Sequence, residues 1–201
     1  MLDFKKRVIM LDGGMGTMLQ KAGVPMGKIP EALNVTHAED VIDIHRQYIE
    51  AGSDIIYANT FSANRYKLGH SEYSVETLVT AGINNAKRAV EDSGKYVKVA
   101  LDVGPIGELM EPNGNLKFED AYDMFKEMMT AGERAGADLI VIETSTDLLE
   151  MKAAVLAAKE NTSLPVFSTM AFEKSGRTFT GVTVEAAALT LTGLGVDAIG
   201  I

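Results

Sequence analysis

One short motif recurs along the chain and constrains its fold more than any other feature. A Gly-x-Asp turn precedes a run of apolar residues in each of the segments 52–59, 136–143 and 195–201. Glycine commonly follows the last residue of a helix, and consecutive apolar residues are typical of a strand buried on both faces. The motif therefore predicts helices that lead through two-residue loops into the strands of a parallel sheet.

Further strands and helices fill the rest of the chain with the same alternation. Apolar runs predict strands at 8–11, 97–101 and 165–169, and helical periodicity predicts five helices. These helices are expected around 38–49, 75–90, 118–129, 147–156 and 184–194, the first of them with a capping box at 36–39. Long loops are predicted at 19–35 and 104–114.

Strands that alternate with helices occur in open doubly wound sheets and in (β/α)₈ barrels. A complete barrel takes about 250 residues, whereas this chain has 201 residues, six predicted strands and an apolar last residue, Ile201. We therefore expect an α/β fold in which 1–201 form one domain, the amino-terminal portion of a (β/α)₈ TIM barrel truncated after about six strands. A six-stranded open sheet is the alternative fold.

Composition excludes several classes of partner and site. The formal net charge of −9 and the absence of a basic run argue against nucleic acid and anionic membrane surfaces. The start of the chain does not have the pattern of a signal peptide and no apolar stretch could span a bilayer, so a cytoplasmic location is expected. The chain has no cysteine, and its three histidines form no metal-binding motif.

Polar residues at the ends of four predicted strands indicate a binding site. Ligands of parallel α/β folds bind outside the carboxyl ends of the strands. The residues at these ends are Asp12-Gly13-Gly14, Asn59-Thr60, Asp102 and Glu143. Carboxylates would attract an amine, and glycine N–H groups could meet a carboxylate, so the pattern favours an amino-acid ligand.

Each of these residues also has a simpler interpretation. Asp12-Gly13 is common turn chemistry, and Asp102 could instead bind the backbone of the following loop. Glu143 follows four apolar residues, and a buried acid must be paired or functional, so there the site interpretation is favoured. Asp54, Asp138 and Asp197, at the opposite ends of the strands, are expected to serve loops and helix termini.

Taken together, these segments resemble the homocysteine S-methyltransferase family, in the form of the homocysteine-binding domain of cobalamin-dependent methionine synthase. The matching segments cover nearly the whole chain in order. They are 11–17, 49–56, 59–65, 102–105, 142–144, 147–154, 176–181 and 195–201.

The resemblance implies a barrel that binds homocysteine at the carboxyl ends of its strands. Asp12 and Glu143 match the acids that hold the amine of the substrate, and the N–H groups around Gly13 and Gly14 would meet its carboxylate. The full set of substrate-binding residues implied is Asp12, Gly13, Gly14, Asn59, Thr60, Asp102 and Glu143.

The resemblance also implies zinc and a methyl donor. In the family, three cysteines after the sixth and eighth strands hold a zinc ion that binds the substrate sulfur. We expect these ligands beyond Ile201, so these residues would include no metal ligand and no catalytic residue, and the fragment would be inactive. The methyl group would come from methylcobalamin, regenerated from methyltetrahydrofolate on other domains or subunits.

One departure and two alternatives accompany this interpretation. Tyr57-Ala58 stands where methionine synthases carry an acid and a hydroxyl residue. The chain could instead be a different TIM-barrel enzyme that binds a pterin or a phosphate, or a binding module that holds an amino acid without chemistry.

Overall fold

Parallel strands form one sheet whose strand order follows the sequence. The computed structural model describes residues 7–25, 27 and 29–201, and within them the sheet has five strands in the order β1-β2-β3-β4-β5. An open doubly wound sheet reverses its strand order at a switch point, so the sequential order excludes that alternative. The strands are β1 Ile55–Tyr57, β2 Lys98–Val103, β3 Leu139–Ser145, β4 Val166–Met170 and β5 Ala198–Gly200.

The sheet is curved, as in a barrel. Inward-facing side chains of β1 to β4 form an apolar cluster, against which Ile9 and Ala198 pack from its two edges. Residues at both edges line a single cavity of about 320 Å³ on this face, namely Arg7, Val8, Ile9 and Leu11 at one edge and residues 198–200 at the other. The two edges of the sheet therefore approach each other, and the prediction of a partial (β/α)₈ barrel is confirmed.

The predicted first strand is reduced to a single bridge. Leu11 pairs in parallel with Ile55, and the Asp12 N–H donates to the Ile55 carbonyl at 3.1 Å. Val8 and Met10 remain 77% and 55% exposed, because the described residues provide no strand on the far side of this segment. The prediction of a buried strand over 8–11 is therefore wrong, although the segment runs beside β1. Residues 1–6, for which no signal peptide was predicted, lie outside the described residues.

Helices cover the outer face of the sheet, where most of the apolar core lies. All five predicted helices are present. The α-helices are α1 Met15–Lys21, α2 Leu33–Thr36, α3 Ala38–Ala51, α4 Arg65–Leu68, α5 Val75–Ser93, α6 Phe118–Ala135, α7 Leu148–Asn161 and α8 Val184–Gly193, and Pro30–Ala32 is a 3₁₀ turn. Within the described segments, no helix combines the length and the apolar character needed to cross a membrane.

Two local predictions fail near the start of the chain. The predicted loop over 19–35 contains part of α1, the 3₁₀ turn and most of α2, which are too short to produce a periodic signal. The capping box at 36–39 is also wrong, because Thr36 is the last residue of α2 and its hydroxyl donates to the Ala32 carbonyl at 3.2 Å. By contrast, Asp147 caps α7 by accepting from the Leu149 N–H at 2.7 Å.

The aspartates that precede β3 and β5 attach these strands to the preceding strand, and the aspartate that precedes β1 attaches it to the segment 8–11. The Asp138 N–H donates to the Val99 carbonyl at 2.8 Å, and the Asp138 carboxylate accepts from the Val99 N–H at 2.9 Å. The same reciprocal pair joins Asp54 to Met10 and Asp197 to Val166. Each carboxylate also forms an ion pair. Asp54 pairs with Arg7, Asp138 with Lys98, and Asp197 with Lys159.

We expect Asp138→Ala to lower the free energy of unfolding by about 1–3 kcal/mol, because it leaves the buried Val99 N–H without an acceptor. Chemical denaturation measures this change. The exposed Asp123 of α6 provides the control, since Asp123→Ala should stay within about 0.5 kcal/mol of the unchanged chain. Equal effects of the two substitutions would contradict the fastening role.

His45 of α3 is fully buried, and neither of its ring nitrogens has a partner. Burial lowers the pKa of His45 from 6.5 to about 4. As the pH falls, the unfolded chain takes up a proton at this residue before the folded chain does. The contribution of His45 to stability is therefore present above pH 6.5 and is lost between pH 6.5 and pH 4.

We expect His45→Leu to stabilise the chain increasingly as the pH falls from 6.5 to 4, reaching about 3 kcal/mol near pH 4. Denaturation at a series of pH values measures the difference from the unchanged chain, and His70→Leu, at an exposed position, is the control. A difference that stays constant with pH would refute this prediction.

Candidate functional site

A cleft of about 390 Å³ opens at the carboxyl ends of β1, β2 and β3, beside the start of α1. Six of the seven predicted site residues line it, and Thr60 does not. The lining residues are Asp12, Gly13, Gly14, Met15, Gly16, Pro30, Glu31, Tyr57, Ala58, Asn59, Phe61, Ser62, Asp102 and Glu143. The polar residues predicted at the ends of separate strands therefore lie around one cleft.

Asp12 follows the bridge to β1 and turns its carboxyl group into the cleft. Its Oδ2 accepts from the Tyr57 N–H at 2.9 Å, while its buried Oδ1 has no hydrogen-bond partner. Burial raises the pKa of Asp12 to about 7, and the charge of Glu143 adds to this effect. The carboxyl group is thus held in place by the backbone with one oxygen free for a ligand.

Asp102 lies near the end of β2, two residues beyond the inward-facing Ala100. Its Oδ1 is also buried without a partner. Burial raises the pKa of Asp102 well above its ordinary value, and the charges of Glu143, Asp12 and Glu31 raise it further. These four acids therefore form one electrostatically coupled group.

Thr60 supports Asp102 from outside the cleft. Its buried hydroxyl donates to the Asp102 carbonyl at 2.8 Å and accepts from the Asp102 N–H at 3.1 Å. Both bonds join the loop after β1 to β2. The structure thus places Thr60 behind the site, where it fixes the backbone that carries the Asp102 carboxyl group.

Glu143 stands at an irregularity near the end of β3. The next residue, Thr144, has φ of 61°, and the register with β4 shifts between Ile142 and Ser145. Positive φ is unfavourable for a β-branched residue, and such bulges often redirect a side chain beside a functional site. Burial raises the pKa of the half-buried Glu143, and a hydrogen bond from the Thr144 side chain opposes this effect.

The two glycines leave backbone donors beside these acids. A Cβ atom at Gly13 would lie 2.9 Å from the Tyr48 hydroxyl oxygen, so any larger residue there would have to displace the Tyr48 ring of α3. The Tyr48 hydroxyl donates to the Gly14 carbonyl at 3.2 Å. Within the described chain, the N–H groups of Gly13 and Gly14 form no hydrogen bond.

Asn59 lines the cleft, but its amide group mainly organises the neighbouring backbone. Its Nδ2 donates to the Pro30 carbonyl at 3.2 Å and to Asn34 Oδ1 at 3.0 Å. Asn34 in turn donates to the Asn59 carbonyl at 2.7 Å. These bonds attach the 3₁₀ turn to the end of β1 and so bring Glu31 to the cleft.

Sequence reasoning did not include Glu31, Phe61, Ser62 or Tyr57 among the site residues. Glu31 lies in the segment predicted as a loop, where no periodicity marks it, although a glutamate within Pro-Glu-Ala-Leu is an acid among apolar neighbours. Tyr57 is the last residue of β1, and its place on the inner face of that strand could have identified it as a site residue. Burial raises its pKa, and the charges of Glu143, Asp102 and Asp12 raise it further.

The cleft is suited to bind a positively charged group. Acids line it, and none of its described lining residues is a lysine, arginine or histidine. Two of its acids carry an unpartnered buried oxygen at the strand ends, which a donor could satisfy. No group of three His, Cys, Asp or Glu residues within the described segments could hold a metal ion.

Comparison with known proteins gives one family and several relatives. The family model described as homocysteine S-methyltransferase matches residues 9–201. The methionine synthase of Mycobacterium tuberculosis is 31% identical over 211 residues, and that of Mycobacterium leprae is 32% identical over 214 residues. Each alignment covers 98% of this chain and 18% of the relative, so the chain spans less than a fifth of these enzymes.

Solved structures with the same fold include a homocysteine methyltransferase, MmuM of Escherichia coli. Its metallated form superposes with a TM-score of 0.88 over 98% of this chain and 75% of that chain, at 21% identity. A more distant likeness is to a phosphonomutase described as putative, from Burkholderia cenocepacia, with a TM-score of 0.53 over 81% of this chain and 56% of that chain, at 18% identity. These likenesses establish the fold.

We expect Asp12→Asn to be more stable than the unchanged chain at pH 8, by at least about 1 kcal/mol. The folded pKa of Asp12, about 7, lies above its ordinary value of 3.8. Its favourable contribution is therefore present below pH 4 and is lost as the pH rises through 7. Asparagine keeps an acceptor for the Tyr57 N–H without acquiring charge.

Denaturation of both proteins between pH 4 and pH 8 tests this expectation. The advantage of Asp12→Asn should grow with pH. The prediction fails if the variant is less stable than the unchanged chain at pH 8.

Proposed function

We infer that this chain, which belongs to the homocysteine S-methyltransferase family, binds homocysteine through the amino-acid end of that substrate. The cleft at the carboxyl ends of β1, β2 and β3 is the proposed site. The observation that carries this proposal is a group of buried carboxyls with unpartnered oxygens and no described cation among the lining residues.

The substrate ammonium group would contact Asp12 and Glu143. A positive charge stabilises the ionised form of nearby acids, so it would lower the pKa values that burial has raised. The free Oδ1 of Asp12 would gain a donor. Binding would thereby remove two unfavourable features of the cleft, an unpaired acceptor and the repulsion between acids.

The substrate carboxylate would meet the backbone N–H groups of Gly13 and Gly14. Both groups are free of hydrogen bonds within the described chain, and both lie at the edge of the cleft. Backbone N–H groups bind anions without introducing a positive side chain that would pair with the acids. The cleft would therefore separate the two charges of a zwitterion.

The proposed reaction is the one for which the family is named. The homocysteine sulfur would form a bond to a methyl carbon while the bond between that carbon and its donor breaks, and the thiol proton would be released. We propose methylcobalamin as the donor, replenished from methyltetrahydrofolate on other domains or subunits. The residues of this chain would bind and orient the amino acid during that transfer.

Zinc does not fit the residues of this chain. The family resemblance implies three cysteine ligands, whereas the sequence contains none, and the described segments offer no alternative group of three ligands. We therefore assign the amino-acid subsite to these residues and derive no step through a metal.

The two alternative functions differ in how well they suit the cleft. A phosphate ligand would be repelled by its acids, which disfavours a phosphate-binding enzyme. A module that holds an amino acid without chemistry would use the same subsite as proposed here. Because these residues alone are expected to be inactive, transfer of labelled methyl from methylcobalamin to homocysteine by the complete protein would distinguish the methyltransferase from that module.

We expect homocysteine to bind the chain in calorimetry, and Glu143→Gln to weaken this binding roughly 10-fold or more, because a charged hydrogen bond is lost. Glu91→Gln, at an exposed position of α5, is the matched control and should bind as the unchanged chain does. Addition of a metal chelator should leave the affinity unchanged. Homocysteine binding that Glu143→Gln does not affect would refute the assignment of the cleft.

A further inference from the structure

We propose that Glu31 is a further substrate-binding residue, whose free carboxylate oxygen accepts a hydrogen bond from the ammonium group of the bound amino acid. The proposal rests on the proposed function and extends it to a residue outside the strands. Glu31 reaches the cleft from the 3₁₀ turn Pro30–Ala32.

The two carboxylate oxygens of Glu31 have different surroundings. Oε1 accepts from the Ser62 N–H at 2.6 Å, whereas Oε2 is buried and has no partner. The side chain is only 2% exposed. A buried acceptor without a donor is costly, and an unpaired acid on the wall of a cleft calls for an explanation. A ligand that supplies the missing donor provides one.

The neighbouring cation does not satisfy this oxygen. Lys67 attracts Glu31 electrostatically and opposes the rise in the pKa of Glu31 that burial causes. However, the Lys67 ammonium donates to the Ser62 hydroxyl at 3.2 Å and lies over the Phe61 ring at 5.2 Å from its centre. Lys67 is not among the lining residues, so the cleft side of Glu31 is left for a ligand.

A buried network of asparagines fixes the turn that carries Glu31. Asn59 donates to the Pro30 carbonyl, Asn34 donates to the Asn59 carbonyl, and Asn85 of α5 donates to the Asn34 carbonyl at 2.9 Å. All three asparagines are buried. The network joins the turn to β1 and α5, so Glu31 is held in position before the ligand arrives.

The ligand has enough donors to contact Glu31 in addition to the acids at the strand ends. A primary ammonium group has three N–H donors. Asp12 and Glu143 provide acceptors at the strand ends, and Glu31 would provide one from a separate element. The ligand class is therefore an amino acid with a free primary amine. A substrate analogue without that amine would not use Glu31.

Calorimetry with two ligands and three proteins tests the proposal. The ligands are homocysteine and 4-mercaptobutanoate, which has the same thiol and carboxylate but lacks the amine. The proteins are the unchanged chain, Glu31→Gln and Glu150→Gln. Glutamine keeps an acceptor for the Ser62 N–H while it replaces the free oxygen with an NH₂ donor.

Glu150→Gln is a closely matched control. Glu150 is also buried, and its Oε1 also accepts a backbone N–H, that of Ile106, at 2.7 Å. It also interacts with Lys67 but does not line the cleft. Any general effect of removing a buried acid in this region should therefore occur in both variants.

We expect Glu31→Gln to weaken homocysteine binding roughly 10-fold to 100-fold and to change 4-mercaptobutanoate binding less than about threefold. Glu150→Gln should leave both affinities near those of the unchanged chain. Equal losses for both ligands, or no loss for homocysteine, would overturn the role of Glu31 and leave the proposed function standing. Failure of the unchanged chain to bind homocysteine would overturn the proposed function and this proposal together.

Discussion

Parallel pairing of strands in sequence order is the constraint on which the rest of the molecule depends. The pairing is stabilised where β1, β3 and β5 begin, by aspartates that both donate to and accept from the backbone of the preceding segment, which is the single-bridge segment 8–11 for β1. Because the starts of neighbouring strands are fixed in this way, their ends are fixed as well. The polar residues that follow the strands then lie around one cleft, so the site results from the same pairing that forms the barrel.

The site is electrostatically unfavourable in the absence of a ligand. Asp12, Asp102, Glu31 and Glu143 raise one another's pKa values or have them raised by burial, and no described cation lines their cleft. The fold holds these groups in place through backbone donors and buried hydroxyl and amide groups. Binding a positive charge relieves this repulsion. The acids that favour ligand binding therefore lower the stability of the folded chain when no ligand is bound.

Much of the fold could be predicted from the sequence because the signals are local and repeated. Glycine after a helix, a turn and a short apolar run together specify where strands begin, and the residue after each run specifies what reaches the cleft. Asp12, Asp102 and Glu143 each follow such an apolar run directly. The strand predicted at 8–11 failed because burial on both faces depends on a neighbour, which no local pattern reveals.

The remaining features depend on contacts between distant segments. Nothing near Thr60 in the sequence indicates that its hydroxyl binds the backbone of Asp102, 42 residues away. Glu31 belongs to a short turn without periodicity, and it reaches the cleft through asparagines at positions 34 and 59. Sequence patterns therefore do not predict the parts of this site that are short elements held by hydrogen bonds between distant residues.

Tyr57 lines both the acidic cleft and the apolar cavity inside the barrel. One side chain is thus shared by an acidic compartment and a mainly apolar one. A smaller residue at this position would join the two compartments into one continuous channel, and longer apolar substituents on an amino acid could then extend into the barrel.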